Sequence, residues 1–341
     1  MQIIHDTSRH APDAPYLIAE MACAHEGKES RARRLIDAAV AAGFDAIQLQ
    51  IFRRAHQVTP NHRLFPLLGK LELNDEAWES IIAHARQYEI DVFVFAYDLP
   101  SLEFALRQGI DGIKLSSADL SNPEMLERAA RSGLTVTLGT GASTLDEVSQ
   151  ALAMMPDAGP VVLMHGMQNF PTVLDDAHVS RIALLRHVFG LPVGYQDHTD
   201  AELPLSRVID LLALGYGAGY LEKHITLDRS EKGTDYQAAL EPAEMIAYVA
   251  TMREAARAAG SYGLKPFSDS DIQYRIFQKK RIVASRRIPG GTRITRDHVA
   301  FLRCEQEAGF SPMQLDQVLG KAAAGDIEPY TLIDTAALAD A

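Results

Sequence analysis

Two histidines that close two similar strand patterns are the residues in this chain best suited to chemistry. His198 ends the run V-G-Y-Q-D-H from Val193, and His224 ends Y-L-E-K-H from Tyr220. Asp197 and Thr199 flank the first; Glu222 and Lys223 stand beside the second. Between them, Leu203 to Leu214 has a helical apolar pattern. Strand, crossover and strand make the two strands parallel and adjacent. The histidines then emerge at equivalent places near the strands' C-terminal ends, the edge where α/β folds hold ligands. Two imidazoles meeting there can hold a borderline divalent metal. Two ordinary loop histidines are the other reading.

Other polar residues fall on strands that should point into a barrel: Glu20, Gln48, Gln50, Lys114 and Glu222. A lysine inside the strand I-K-L-S-S is costly to bury unless it is paired or holds an anion. Lys114 is therefore a salt-bridge partner, an anion holder or a Schiff-base former. Glu20 is a candidate acid, base or hydrogen-bond organiser. Gly139, Thr140 and Gly141 end a strand where backbone amides can face a carboxylate or phosphate, or simply turn into a helix.

These residues need a scaffold, and the pattern supplies one. Strands are expected at Tyr16–Ala22, Ala46–Phe52, Val92–Tyr97, Gly112–Ser117, Leu134–Leu138 and Val161–Met164, then the two histidine strands. Helices are expected at Arg31–Ala41, Asp75–Gln87, Leu102–Arg107, Glu124–Ala130, after Ser143 as cap with Asp146 in the first turn, at Val179–Val188, and at Pro242–Ala258. Eight alternations over roughly 240 residues fit a (β/α)8 TIM barrel. A doubly wound sheet would want a glycine-rich first turn, and only Gly27 stands there. The loop from Arg53 to Lys70 is long enough to act as a lid. The chain divides into a barrel at 1–259, a linker at 260–279 and a small mainly β domain at 280–341, which has little core of its own and leans on something larger.

Of 341 residues, 33 are basic and 45 acidic. That net charge of -12 argues against nucleic acid as a main partner. The two cysteines, Cys23 and Cys304, imply no disulfide framework. No uncharged apolar run is long enough to span a membrane, the N-terminus lacks the pattern of a signal peptide, and the cytoplasm is the expected location.

The chain resembles the sialic acid synthase family, which includes synthases of N-acetylneuraminic, legionaminic and pseudaminic acids. I-A-E-M-A-C-A-H-E-G at 18–27 is similar to the family's I-A-E-x-G-x-N-H-x-G, and K-L-S-S-A-D-L-S-N at 114–122 to its K-I-x-S-x-D-x-x-N. Q-D-H-T at 196–199 resembles S-D-H-T, and E-K-H-I-T-L-D-R at 222–229 the eighth strand. The tail, with I-V-A-S-R-R-I-P-G-G-T-R-I-T and L-G-K-A-A-A-G-D-I, is similar to an antifreeze-like domain. The resemblance implies a metal-dependent condensation of phosphoenolpyruvate with the open-chain aldehyde of an N-acylated hexose. It makes His198 and His224 ligands of manganese or magnesium and Glu20 the acidic catalytic residue. Lys114, Ser117 and Asp119 would border phosphoenolpyruvate, and Glu222 and Asp235 the sugar. Gln50, retained from the family's K-x-Q, and Gln168, in the polar position after its H-C-T, would join the substrate pocket. A homodimer with exchanged tails would bring Arg303 into the neighbour's barrel.

Several family positions differ. Gln48 replaces a lysine, Gly139 and Gln196 replace serines, Tyr236 a histidine, Ala24 an asparagine, and Cys304 a proline. A pocket rebuilt with Arg53 or Arg54, a different donor or acceptor, and a non-catalytic binding relative are the alternatives these changes raise.

Overall fold

A computed structural model of the chain describes residues 14–167, 169–260, 264–306 and 308–339. Eight parallel strands close into a barrel in chain order: β1 (Tyr16–Glu20), β2 (Ala46–Ile51), β3 (Asp91–Ala96), β4 (Gly112–Leu115), β5 (Thr135–Gly139), β6 (Val161–His165), β7 (Val193–Asp197) and β8 (Tyr220–His224). Almost every strand residue is buried, as expected when helices cover the outside and side chains fill the inside.

The pleat sorts these residues into two layers. Leu17, Ala19, Leu49, Leu163 and Leu221 face outward into the main core against the helices. Ile18, Ala46, Phe93, Val162, Met164 and Tyr220 fill the inside. Two glycines make that inner packing possible. A Cβ on Gly112 would lie 2.3 Å from the Phe93 ring, and one on Gly194 2.3 Å from Met164 Sδ. Higher in the barrel the same inward register carries Glu20, Gln48, Lys114, Gln196, Glu222 and His224. The interior is thus apolar toward the strands' N-terminal ends and polar at their C-terminal ends.

The covering helices are α1 (Glu29–Ala42), α2 (Arg54–Gln57), α3 (Phe65–Leu71), α4 (Asp75–Ala85), α5 (Leu99–Arg107), α6 (Pro123–Ala130), α7 (Leu145–Ala153), α8 (Arg181–Phe189), α9 (Ile209–Gly215) and α10 (Pro242–Ala259). In α1 the buried positions Ala32, Leu35, Ile36 and Ala39 repeat at three- and four-residue spacing, and Gly43 ends the helix at φ 86°.

Three local expectations are corrected. Thr144, not Ser143, caps α7, through a reciprocal capping box with Glu147. The crossover expected as one helix from Leu203 to Leu214 is a 3₁₀ turn, Pro204–Arg207, followed by α9. Pro204 opens the turn, and the Ser206 carbonyl accepts from the buried Lys223 ammonium at 2.6 Å. The Arg53–Lys70 stretch is folded into α2 and α3, with Leu68 and Leu71 packed against Cys23 and Phe52.

The chain's second compact unit runs from Ser261 to Ala341. Half of the stretch read as a linker is helix α11 (Asp269–Gln278), started by a capping box between Ser268 and Asp271. Beyond it, β9 (Lys280–Ala284) pairs antiparallel with β10 (Val299–Arg303), and β11 (Ala322–Ala323) with β12 (Leu338–Ala339). Ile282, Ile288, Val299, Val318 and Ile333 form this unit's own small core. Among the described residues, no helix is long and apolar enough to cross a membrane.

Candidate active site

The site is built by strand register. Gln196 lies opposite Glu222 and Asp197 opposite Lys223 on β7 and β8, so the next inward residues are His198 and His224. Their ring centroids are 5.0 Å apart. One ligand atom from each, with a Glu222 oxygen, lies within 4.8 Å of the other two, and all three residues are buried. His198 Nδ1 is engaged with the Met167 carbonyl at 2.5 Å. That bond directs its Nε2 to the interior, the usual way a backbone acceptor orients a ligating histidine. Burial, aided by Lys114, holds the His198 pKa below its ordinary value. Burial and neighbouring His198 hold His224 well below. Both rings are therefore neutral at neutral pH and ready to give a lone pair to a cation. Two imidazoles and a carboxylate fit a divalent metal by donor chemistry.

Next to this trio, Lys114 Nζ is 2.5 Å from Glu222 Oε1 and 3.6 Å from Glu20 Oε2. It also lies over the Phe95 ring at 4.8 Å. Gln48 Nε2 donates to Glu20 Oε2, and the Ala22 amide donates to Oε1 at 2.6 Å. Burial pushes the Glu20 carboxyl up to about 8, against the pull of Lys114 and of the Ala22 amide. Gln196 Nε2 donates to Glu222 Oε2 at 3.3 Å. Gln50 Oε1 accepts from Tyr97 Oη at 3.3 Å. Among the described residues, the eight strands contain two cations, Lys114 facing in and Lys223 facing out.

The other expected site residues are placed as follows. Ser117 and Asp119 sit in a 3₁₀ turn directly after β4, with the Asp119 carboxylate accepting from Asn122 Nδ2 at 3.0 Å. Asp235 has φ 57° and is half-buried, and burial, with Glu26 beside it, pushes its carboxyl up to about 6. Gln168 lies outside the described residues. Arg303 is exposed on β10 of the second unit. Arg53 and Arg54 do not turn inward to rebuild the pocket: their guanidiniums pair with Asp75 and Glu72. Gly139 lies against the Ser117 amide, and a Cβ there would come within 3.1 Å of that nitrogen.

Two features are not apparent from residue types alone. The Phe170 ring covers both imidazoles, at 4.4 Å from His198 and 5.3 Å from His224. Lys223 points away from the interior to Asp197 and Asp210. The strand pleat carries that second signal, since Lys223 lies between two inward residues.

Fold and site together define a (β/α)8 barrel with a candidate metal centre at its C-terminal mouth and a small β unit after it. The chain belongs to the NeuB family, whose model matches residues 35–263; a SAF domain matches residues 280–339. It is 28% identical over 325 residues, covering 89% of both chains, to the N,N'-diacetyllegionaminic acid synthase of Legionella pneumophila. Among solved structures it resembles the N-acetylneuraminic acid synthetase of Leptospira borgpetersenii in complex with citrate, at 29% identity and a TM-score of 0.71, over 77% of this chain and 91% of that one. The spore coat polysaccharide biosynthesis protein E of Chromobacterium violaceum shares the fold over 96% of this chain and 100% of its own, at 22% identity and a TM-score of 0.82.

Proposed function

We propose that this chain condenses phosphoenolpyruvate with the open-chain aldehyde of an N-acylated hexose, giving a nine-carbon 2-keto-3-deoxy sugar acid of the sialic acid type and inorganic phosphate. The observation that carries the reading is the buried pair of neutral imidazoles, His198 and His224, adjoining the Glu20–Lys114–Glu222 cluster. Membership of the NeuB family and the synthase names of its relatives support it.

His198 and His224, with Glu222 next to them, would hold Mn2+ or Mg2+. When bound, such an ion polarises a carbonyl oxygen as a Lewis acid. Lys114, the single inward cation of the barrel strands among the described residues, offers its charge to the anionic donor; Ser117, Asp119 and Gln50 complete that end of the pocket. Glu222 and Asp235 face the sugar hydroxyls. In the reaction, carbon 3 of the enol bonds to the aldehyde carbon as the Glu20 carboxyl gives its proton to the aldehyde oxygen, and carbon 2 becomes an oxocarbenium. Water adds to carbon 2 and gives one proton to the Glu20 carboxylate just formed; the carbon 2–oxygen bond to phosphate then breaks, and the proton of the carbon 2 hydroxyl leaves with the phosphate to give the keto group. A carboxyl with a pKa of about 8 is matched to taking and returning such a proton near neutral pH.

The same reading makes the enzyme a cytoplasmic homodimer with exchanged tails, each Arg303 serving the partner's site. The test is phosphate release from phosphoenolpyruvate with a panel of N-acyl hexoses and Mn2+. Turnover restricted to such sugars supports the reading; none with any of them, in folded protein, rejects it.

A further inference from the structure

Behind the two histidines, on the outer face of the same strands, lies a cluster of charges that the chemistry above does not use. Lys223, Asp197 and Asp210 are all fully buried. Lys223 Nζ donates to Asp197 Oδ2, to Asp210 Oδ2 at 3.0 Å and to the Ser206 carbonyl at 2.6 Å. The Tyr248 ring backs the ammonium at 5.4 Å. One side chain therefore ties together β7, β8 and α9.

Its position in the sequence gives this cluster a bearing on the site. Lys223 immediately precedes His224, and Asp197 immediately precedes His198. In the pleat each points out where its neighbour points in. The ion pair thus locks the two strands in register one residue before each imidazole. The same Asp197 carboxylate accepts from the Thr199 amide at 3.0 Å and from Thr199 Oγ1 at 2.6 Å, so it also shapes the backbone on the far side of His198. The Thr172 amide closes the bracket by donating to the His198 carbonyl at 2.7 Å.

Fold stability alone is a poor account of such a cluster. Buried ions forfeit their hydration, and a well-packed apolar set of equal volume is often at least as stable. Fixed geometry is what charged groups bonded across three elements add. We propose that Lys223, acting through Asp197 and Asp210, is a positioning residue that sets the spacing and orientation of the His198 and His224 imidazoles toward a divalent cation. This rests on the reading of those histidines as metal ligands.

The test uses the full-length protein with Co2+ and Mn2+ as probes and needs no turnover. Lys223→Met and the near-isosteric Asp197→Asn are compared with wild type by calorimetry and by the visible spectrum of bound Co2+. Thermal unfolding identifies the folded variants, and if Lys223→Met does not fold, Asp197→Asn carries the test. The expected result is Mn2+ affinity weakened about tenfold or more, the range seen when groups supporting a ligand are lost, with altered Co2+ bands. Wild-type affinity, or weakened affinity with an unaltered Co2+ spectrum, overturns the inference while leaving the metal reading intact. Absence of Co2+ binding by wild type, or binding that persists in His198→Ala and His224→Ala, overturns both.

Discussion

Gln48 donates its side-chain amide to Glu20 across the β1–β2 pair, and so binds the carboxyl that the proposed chemistry uses. The amide supports the carboxylate without adding charge. Among the described residues, Lys114 is left as the one inward cation of the barrel strands, beside two carboxyl groups, Glu20 and Glu222. A dense anionic donor entering this barrel needs further positive charge, which a metal on His198 and His224 would supply.

Glu20 should lower the stability of the fold as pH rises. Its folded pKa, about 8, lies above the ordinary glutamate value of 4.5. A raised carboxyl contributes stability that is fully present below the unfolded pKa and is lost as pH rises through the folded one. Glu20→Gln does not titrate. Its melting temperature should exceed that of wild type by a margin that grows from pH 5 to pH 8, while activity is lost. A constant margin in thermal melts would show that Glu20 is not the titrating group.

Gln48→Lys should shift the pH–rate profile. A cation against Glu20 favours the carboxylate, so the limb governed by Glu20 moves to lower pH. Measured profiles of kcat/KM for both proteins check the direction; superimposable profiles contradict it.

Lys114→Met should be among the most destabilising single changes in the barrel. It leaves Glu20 and Glu222 buried without their shared cation, at a cost of roughly 3–5 kcal/mol. Urea unfolding measures it, and a loss below about 1 kcal/mol would place the pair in wetter surroundings than its burial indicates.

Metal binding should persist into mild acid. Both imidazoles are held below the ordinary histidine range, His224 well below. Mn2+ affinity by calorimetry should change little from pH 8 to pH 6.5. A loss across that window would mean that the rings protonate as ordinary surface histidines do.

Arg303 is tested by mixing. Arg303→Ala and Glu20→Ala chains, each inactive alone, should regain up to about half of the wild-type activity per mixed dimer, since one site then holds both residues. No recovery in mixed dimers verified by mass spectrometry places Arg303 in its own chain's site or outside the chemistry.

Much of this site was legible because a barrel obeys simple periods. Equivalent strand ends put His198 beside His224, and the pleat brought Glu20, Lys114 and Glu222 inside. What escaped depended on partners distant in sequence. Arg53 and Arg54 are ordinary loop cations until Asp75 and Glu72 arrive to pair with them. The break before α9 follows a local Pro204, but also a bond from Lys223, seventeen residues beyond Ser206. Thr144 displaced Ser143 as cap because Glu147, not Asp146, completes the reciprocal pair.

The most direct measurement follows the bridging oxygen of phosphoenolpyruvate. Phosphoenolpyruvate labelled with 18O at that position is incubated with metal-loaded protein and N-acyl hexoses, and the products are read by mass spectrometry. The account predicts inorganic phosphate carrying the label, formed in equal amount with a nine-carbon 2-keto acid. Label retained in the keto acid, or no phosphate and no condensation product with any sugar, would contradict it.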